Sequence, residues 1–298
     1  MAKDITLVTG FYDIGRGGWH PSDIQCLRRT NDQYFQYFET LAELKNPMVI
    51  VTSEDFADRV YNLRKQFGLH GSDMTKVIVK PLPEDQRRRA HAVVAQPIFR
   101  NYVLSKDIPE FKMPDYSVVT NQKTQFVVDA IDSGFVKTTQ TAWIDFGYCR
   151  APKWFHAVKP WDFDFGNKIN LWILRNLDDR PIFDVIKHAM IYFMGCHIVG
   201  PTSAWHEYNR LWQDSFNAML ECGFTDDDQT TMLMAWRKNP EMFTLRPGRD
   251  AGPGSWYFVL REYNENHVNP VQQNSLVQPV PNIQVNQNLV FDAGVLKF

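Results

Sequence analysis

An aspartate at the end of an apolar segment offers the clearest chemistry in this sequence. Residues 143–147 read WIDFG, so Asp145 follows an apolar run and Gly147 lies two positions later. A carboxylate in this position can hold Mn²⁺ or Mg²⁺, and such a cation neutralises the diphosphate that leaves a nucleotide-activated sugar. Glycine would let phosphate groups approach the backbone closely. Asp145 is therefore a candidate metal ligand, although a single aspartate after a strand is also an ordinary turn residue.

A second group of candidates lies near the start of the chain, in residues 11–16 (FYDIGR). Phe11 and Tyr12 could stack on a nucleobase, Asp13 could bind the base or the ribose, and Arg16 could bind phosphate. Lys123 precedes Asp145 by about twenty residues and could also reach a phosphate. The structural alternatives are an ordinary glycine-rich turn for the first segment and an exposed helix residue for the lysine.

Two features are candidates for binding or activating an acceptor. The acidic run Asp226–Asp228 could supply a general base for the acceptor hydroxyl, and helix capping is the compatible structural alternative. His197 lies in the glycine-bounded segment 195–200 (GCHIVG), which predicts a tight turn. We therefore take His197 and Gly200 as acceptor-binding candidates, while an isolated histidine is more often a turn residue whose hydrogen bonds are satisfied.

A literal Asp-x-Asp pattern occurs at Asp162 and Asp164. It lies in the aromatic stretch KPWDFDFGNK, which has no apolar strand before it. We favour a structural or peripheral role for this pair, and it stays the rival metal site.

Alternating strand and helix patterns would position these residues. Predicted strands cover 4–11, 47–52, 76–79 and 139–144, and predicted helices cover 32–44, 56–67, 124–131, 203–220 and 230–238. This alternation is typical of an α/β fold with a parallel sheet, and residues 182–193 fit either a strand or a helix. Ligands of such sheets gather at the carboxyl ends of the strands, where both residues 10–19 and Asp145 would lie.

Composition and motifs exclude several classes of protein. The chain has 298 residues, of which 44% are hydrophobic and 14% aromatic, so a packed core rather than disorder is expected for most of it. A net charge of −2 argues against nucleic-acid binding, and the dinucleotide, Walker A, G-x-S-x-G and H-E-x-x-H motifs are absent. There is no leader-like start, no apolar stretch of about 18 residues and no paired cysteine motif. We expect a cytoplasmic protein without a transmembrane segment, and peripheral contact with the inner face of the membrane stays open.

The composition changes abruptly at residue 264. Residues 264–298 are rich in Asn, Gln, Val and Pro, and their prolines exclude a helix. We therefore divide the chain into a single domain at 1–263 and an extended tail at 264–298 that either wraps the domain or reaches a partner.

The chain resembles the bacterial HtrL/YibB family, which includes WlaTC-like glycosyltransferases. The likeness is carried by ITLVTGFYDIGRG at 5–17, WIDFG at 143–147 and DDDQ at 226–229, and it spans residues 4–245. The resemblance implies a GT-A-like nucleotide-sugar-binding fold with a mixed, largely parallel central sheet flanked by helices. Its implied donor site comprises Thr9, Phe11, Tyr12, Asp13, Arg16, Lys123, Asp145 and Gly147.

The same resemblance suggests that Asp227 or Asp228 lies near the acceptor, and we take both as candidate catalytic residues. The chain departs from the family pattern at Phe146, where a small residue is usual. The bulky ring could alter how the sugar or the metal fits.

The resulting hypothesis is a transferase that uses Mn²⁺ or Mg²⁺ at Asp145. It would move a galactose-type sugar from a UDP-sugar donor to a saccharide or lipid-linked saccharide acceptor in surface polysaccharide or lipooligosaccharide synthesis. One alternative is a non-catalytic carbohydrate-binding or assembly protein that retains the fold. Another treats Asp162 and Asp164 as the metal pair of a different phosphoryl or glycosyl enzyme.

Overall fold

In the part of the chain that the structure describes, seven strands form one mixed sheet. The computed structural model describes residues 4–19, 28–104, 113–151, 160–249 and 255–263, and the strand order across the sheet is β3-β2-β1-β4-β6-β5-β7. The strands are β1 (Ile5–Phe11), β2 (Met48–Thr52), β3 (Thr75–Val79), β4 (Gln140–Ile144), β5 (Ile169–Ile173), β6 (His197–Pro201) and β7 (Phe243–Pro247). Only β6 runs against its neighbours β4 and β5, so the sheet is largely parallel.

Helices cover both faces of this sheet. They are α1 (Asn31–Ala42), α2 (Glu54–Gln66), α3 (Glu84–Ala95), α4 (Pro97–Tyr102), α5 (Pro114–Thr120), α6 (Lys123–Asp132), α7 (Ile182–Lys187), α8 (Trp205–Glu221), α9 (Asp228–Lys238) and α10 (Val259–Glu262). Side chains alternate across a strand, so the neighbours Leu7 and Val8 on β1 enter two different core clusters. The strands β2 and β4 are buried at every residue because both faces are covered.

The predicted α/β fold with a mixed, largely parallel sheet flanked by helices is confirmed, and it is consistent with a GT-A-like fold. Each of the five predicted helices agrees with the structure to within a few residues. Residues 182–193 begin with helix α7, while β5 and β7 were not predicted. The tail at 264–298 lies outside the described residues. Within the described ranges, no helix is both long and apolar enough to span a membrane.

The prediction of a tight turn at 195–200 is wrong, because β6 begins at His197 and pairs with both β4 and β5. A Cβ on Gly200 would lie 2.5 Å from Cδ1 of Ile169, so glycine at this position permits close strand packing. Gly195 and Gly200 therefore do not mark the two ends of a turn, since Gly200 lies within β6.

A buried arginine forms hydrogen bonds with the loops that precede β2 and β3. Arg64 on α2 has no exposed surface, and burial lowers its pKa to about 10. Its guanidinium donates hydrogen bonds to Thr75 Oγ1 and to the carbonyl oxygens of Ala42, Leu44, Asn46 and Met74, at 2.5–3.1 Å. These bonds fix the connections that lead into β2 and β3.

Candidate functional site

A cavity of about 360 Å³ lies at the carboxyl ends of β1 and β4. Parallel strands end at the same edge of a sheet, and this edge is the usual ligand site of open α/β folds. The residues that follow β1 and β4 line the cavity together with the start of α6, the start of α9 and the segment before β6. The fold thus brings segments that are far apart in the sequence to one cavity.

Lys123 forms the centre of the polar contacts in this cavity. Its Nζ lies 2.6 Å from Asp228 Oδ2 and 2.8 Å from Asp145 Oδ1, and it donates a hydrogen bond of 2.8 Å to the carbonyl oxygen of Gly195. The lysine side chain is 7% exposed and that of Asp228 is 5% exposed, whereas Asp145 is 33% exposed. Two carboxylates on different elements therefore share one buried ammonium group.

Burial and the neighbouring charges have opposite effects on the pKa values of Lys123 and Asp228. Burial disfavours the ammonium form of Lys123, but Asp145 and Asp228 outweigh it and raise the pKa of the lysine above its ordinary value. Burial raises the pKa of Asp228 to about 7, although the charge of Lys123 lowers it. The lysine is therefore positively charged, and Asp228 titrates far above the usual range of an aspartate.

Asp145 is held in place by hydrogen bonds of its side chain and its backbone, in addition to its contact with Lys123. The indole Nε1 of Trp143 donates a hydrogen bond of 2.8 Å to Asp145 Oδ1, and the backbone N–H of Asp145 donates one of 2.9 Å to the carbonyl oxygen of Cys196. The second bond extends the pairing of β4 with β6 by one residue. Asp145 thus lies at a rigid strand end, and it also opens a turn, since its carbonyl oxygen accepts a hydrogen bond of 2.9 Å from the backbone N–H of Tyr148.

Gly195 is a site residue that the sequence reasoning missed. A Cβ at this position would lie 2.0 Å from Asp228 Oδ2, a separation that no real contact tolerates. Glycine is therefore required for Asp228 to reach Lys123. The only sequence signal was a glycine before a buried strand, and we interpreted it as a turn boundary.

The acidic run caps helix α9 and also lines the cavity. Asp227 is the N-cap residue, and its side chain accepts a hydrogen bond of 2.9 Å from the backbone N–H of Gln229. Asp226 is buried and accepts a hydrogen bond of 2.7 Å from the Thr230 hydroxyl. Asp227 and Asp228 line the cavity. The capping interpretation is thus confirmed for Asp227.

The contribution of Asp226 to the free energy of unfolding is expected to decline as the pH rises. Burial raises the pKa of this carboxyl from 3.8 to about 7, against hydrogen bonds from Thr230 and Asp227 that lower it. A carboxyl that holds its proton more tightly in the folded state contributes stability below its unfolded pKa, and that contribution is lost as the pH passes the folded pKa. In urea unfolding from about pH 4 to about pH 8, Asp226→Asn should weaken this decline.

The exposed Asp214 on α8, which pairs with Arg210, provides the control for that measurement. Asp214→Asn should leave the decline unchanged. Equal slopes for wild type and Asp226→Asn would contradict the assignment.

Aromatic rings and arginines form much of the remaining lining. Arg16 donates a hydrogen bond of 2.6 Å to the Tyr34 hydroxyl, and the guanidinium of Arg150 lies 4.8 Å from the ring centre of Tyr257. Arg29 also lines the cavity. None of Arg29, Tyr34, Arg150 or Tyr257 was predicted from the sequence, because no local pattern distinguishes them. Arginine and aromatic groups together suit a ligand with phosphates and a planar base.

Most of the predicted donor residues line this one cavity. They are Phe11, Tyr12, Asp13, Arg16, Lys123, Asp145 and Gly147. Tyr12 stacks on Phe126 with ring centres 5.6 Å apart, whereas Phe11 is 5% exposed and packs mainly in the core. A Cβ on Gly147 would lie 3.0 Å from the Tyr34 ring, so glycine serves close packing of that ring.

Three predicted residues do not line the cavity. Thr9 is buried within β1, and Gly200 lies within β6. His197 has no exposed surface, and its ring centre lies 4.5 Å from that of Trp172. Burial and the charge of Lys123 lower the pKa of His197 to about 3, so it is a neutral core residue. The structure thus offers no route from His197 to an acceptor.

The rival pair Asp162 and Asp164 lies elsewhere. Asp164 accepts a hydrogen bond of 3.1 Å from Gln140 Nε2, and Gln140 begins β4 whereas Asp145 follows its end. A strand of this length separates the two sites by roughly 16 Å. Neither aspartate lines the cavity, so the pair stands apart from Lys123.

The residues around Asp145 do not fit a bound divalent cation. Asp145 Oδ1 already accepts a hydrogen bond from Trp143 and faces Lys123 Nζ, and Asp228, another carboxylate of the cavity, faces the same ammonium. Among the described residues, no three His, Cys, Asp or Glu side chains converge as metal ligands would. The prediction of Mn²⁺ or Mg²⁺ at Asp145 therefore gains no support from this geometry.

The chain matches a known protein family and is similar to a known bacterial protein. A family described as "Bacterial protein of unknown function (HtrL_YibB)" matches residues 3–265. The chain is also 33% identical over 277 residues to Protein HtrL of Escherichia coli (strain K12), a match that covers 89% of this chain and 94% of that protein. The family match thus includes every residue that the structure describes.

Proposed function

This chain belongs to the bacterial HtrL_YibB family, and we propose that it is a glycosyltransferase that uses a nucleoside diphosphate sugar. The observation that carries this proposal is the buried Lys123, which joins Asp145 after β4 to Asp228 on α9 within an aromatic and arginine-lined cavity. Buried ionic groups cost desolvation energy, and strongly shifted pKa values in a cleft are typical of functional sites. The sheet edge is also where such folds bind nucleotides.

The proposed sugar transfer gives separate roles to the carboxylates, the aromatic rings and the arginines of the cavity. The acceptor hydroxyl oxygen bonds to the anomeric carbon while the bond from that carbon to the diphosphate oxygen breaks. The hydroxyl proton passes to the carboxylate of Asp227 or Asp228, and the raised pKa of Asp228 suits a general base near neutral pH. Aromatic rings such as that of Tyr12 support the base, while arginines bind the phosphates.

The proposed donor and acceptor are those that the resemblance of the sequence motifs suggests. We propose a UDP-sugar of the galactose type as donor and a saccharide or lipid-linked saccharide as acceptor, in surface polysaccharide or lipooligosaccharide synthesis. As part of the proposal we place the reaction in the cytoplasm, with a lipid-linked acceptor at the inner face of the membrane.

A panel of nucleotide sugars tests the proposal. UDP is expected to raise the melting temperature, and the correct UDP-sugar should release UDP slowly by hydrolysis and faster with a saccharide acceptor. A melting temperature that no nucleotide sugar changes would contradict the proposal. Binding without any turnover would instead favour the non-catalytic carbohydrate-binding or assembly protein.

Asp145→Asn is expected to reduce UDP release by about 10²- to 10³-fold, because the amide keeps the shape but loses the charge that holds Lys123. The rate of UDP release with saturating donor measures this effect. Asp162→Asn is the matched control, since Asp162 does not line the cavity, and it should stay within about twofold of wild type. A larger loss in Asp162→Asn than in Asp145→Asn would instead favour the rival metal pair.

A further inference from the structure

The contacts of Lys123 have the form of an oxygen cage. Three oxygens from three separate segments surround its Nζ: Asp145 Oδ1, Asp228 Oδ2 and the carbonyl oxygen of Gly195, at 2.6–2.8 Å. An ammonium group has three N–H donors and no acceptor, so these three oxygens match its bonding capacity. A Mg²⁺ ion binds similar oxygens, but at about 2.0–2.1 Å.

The cage is built by the fold rather than by mobile surface groups. Asp145 is fixed by Trp143, and Asp228 lies in the first turn of α9. Gly195 lacks the side chain that would push Asp228 away. Fixed oxygens of this kind, two of them on carboxylates, would repel one another without a cation, and Lys123 supplies a cation from within the chain.

We propose that the ammonium of Lys123 takes the place of a divalent cation in this site, so that sugar transfer proceeds without a bound metal. This inference rests on the proposed glycosyltransferase function. The lysine positions the carboxylates of Asp145 and Asp228 for the donor sugar and the acceptor. A cation cannot enter the cage unless the lysine leaves it, because both carboxylates already face the ammonium.

Charge on the leaving diphosphate is then balanced by arginines. Arg16, Arg29 and Arg150 line the same cavity as Lys123. Arg16 is 8% exposed, and the hydrogen bond to Tyr34 orients its guanidinium. At least one of the three arginines is therefore held in place before a ligand binds. A planar guanidinium can bind two phosphate oxygens at once, which makes arginine an effective substitute for a metal at a diphosphate.

The first test compares metal conditions on the wild-type protein. The rate of UDP release and the shift in melting temperature caused by UDP are measured in excess EDTA, in Mn²⁺ and in Mg²⁺. Each should differ by less than about twofold among the three conditions. Loss of transfer in EDTA with recovery in Mn²⁺ would overturn the inference and leave the glycosyltransferase proposal standing. Absence of transfer under every condition, with every donor, would instead contradict the proposed function.

The second test empties the cage. Lys123→Ala leaves Asp145, Asp228 and the Gly195 carbonyl around a space that a cation can enter. Mn²⁺ should therefore raise the melting temperature of this variant and reduce the electron paramagnetic resonance signal of free Mn²⁺, while wild type shows neither effect. Wild-type protein that binds Mn²⁺ as tightly as the variant would overturn the inference, as would a folded variant that binds none.

Lys80 offers the matched control, because it forms an ion pair with Asp129 and does not line the cavity. Lys80→Ala should gain no Mn²⁺ binding. If Lys123→Ala does not fold, the Mn²⁺ titration of wild type decides alone, since the inference requires that wild type bind none at the cage.

Discussion

Replacing Gly195 by alanine is expected to abolish UDP release and to destabilise the protein. The new methyl group would lie 2.0 Å from Asp228 Oδ2, so the carboxylate or the backbone must move. Contacts forced into a packed interior cost about 1–3 kcal/mol, and movement of Asp228 would also break its contact with Lys123. Urea unfolding measures the first effect, and UDP release with saturating donor measures the second.

Gly18→Ala is the control for this substitution. Among the described residues other than its two chain neighbours, none has an atom within 4 Å of a Cβ placed on Gly18, and Gly18 does not line the cavity. Both its stability and its rate of UDP release should match those of wild type. Wild-type behaviour of Gly195→Ala in both measurements would show that the close approach of Gly195 to Asp228 has no role.

Arg64→Met is expected to cause the largest loss of stability. The substitution removes five hydrogen bonds from a fully buried guanidinium, and it leaves four backbone carbonyl oxygens and a hydroxyl without this donor. Each buried polar group left without a partner costs about 1–3 kcal/mol, partly relieved by local movement, so we expect a loss of about 3–5 kcal/mol. Denaturant unfolding followed by circular dichroism provides the measurement.

The same helix contains its own control. Arg59 on α2 is half-exposed and pairs with the exposed Asp32, so Arg59→Met should cost less than about 1 kcal/mol. Folded Arg64→Met should still bind UDP at low temperature, since Arg64 does not line the cavity. Similar losses for the two variants would mean that the buried hydrogen bonds of Arg64 contribute little net stability.

The sequence predicted the elements that carry the donor residues better than it predicted the site itself. The apolar runs of β1 and β4 identify buried strands, and parallel strands bring their carboxyl ends together. That rule alone places residues 11–16 near Asp145. Lys123 is a phosphate-binding candidate from its place before Asp145 and belongs to the donor site that the family likeness implies, and the structure brings it to Asp145.

Two errors have a common physical cause. Gly195 is needed because of Asp228, 33 positions later in the chain, and no local pattern records such a contact. His197 was interpreted from its flanking glycines, although pairing with β4 and β5 places it in the middle of the sheet. Tertiary packing decided both positions, and the short strands β5 and β7 depend on the same long-range pairing.

The contact between Lys123 and Asp228 has a kinetic consequence, because it joins residues 105 positions apart. Closing so long a loop is entropically unfavourable, and folding rates fall as contacts become more distant along the chain. The cage therefore cannot be complete until α9 has been synthesised and has docked. A nascent chain that ends before α9 contains Lys123 and Asp145 but lacks Asp228, so the ability to bind substrate would arise late and would itself report that folding is finished.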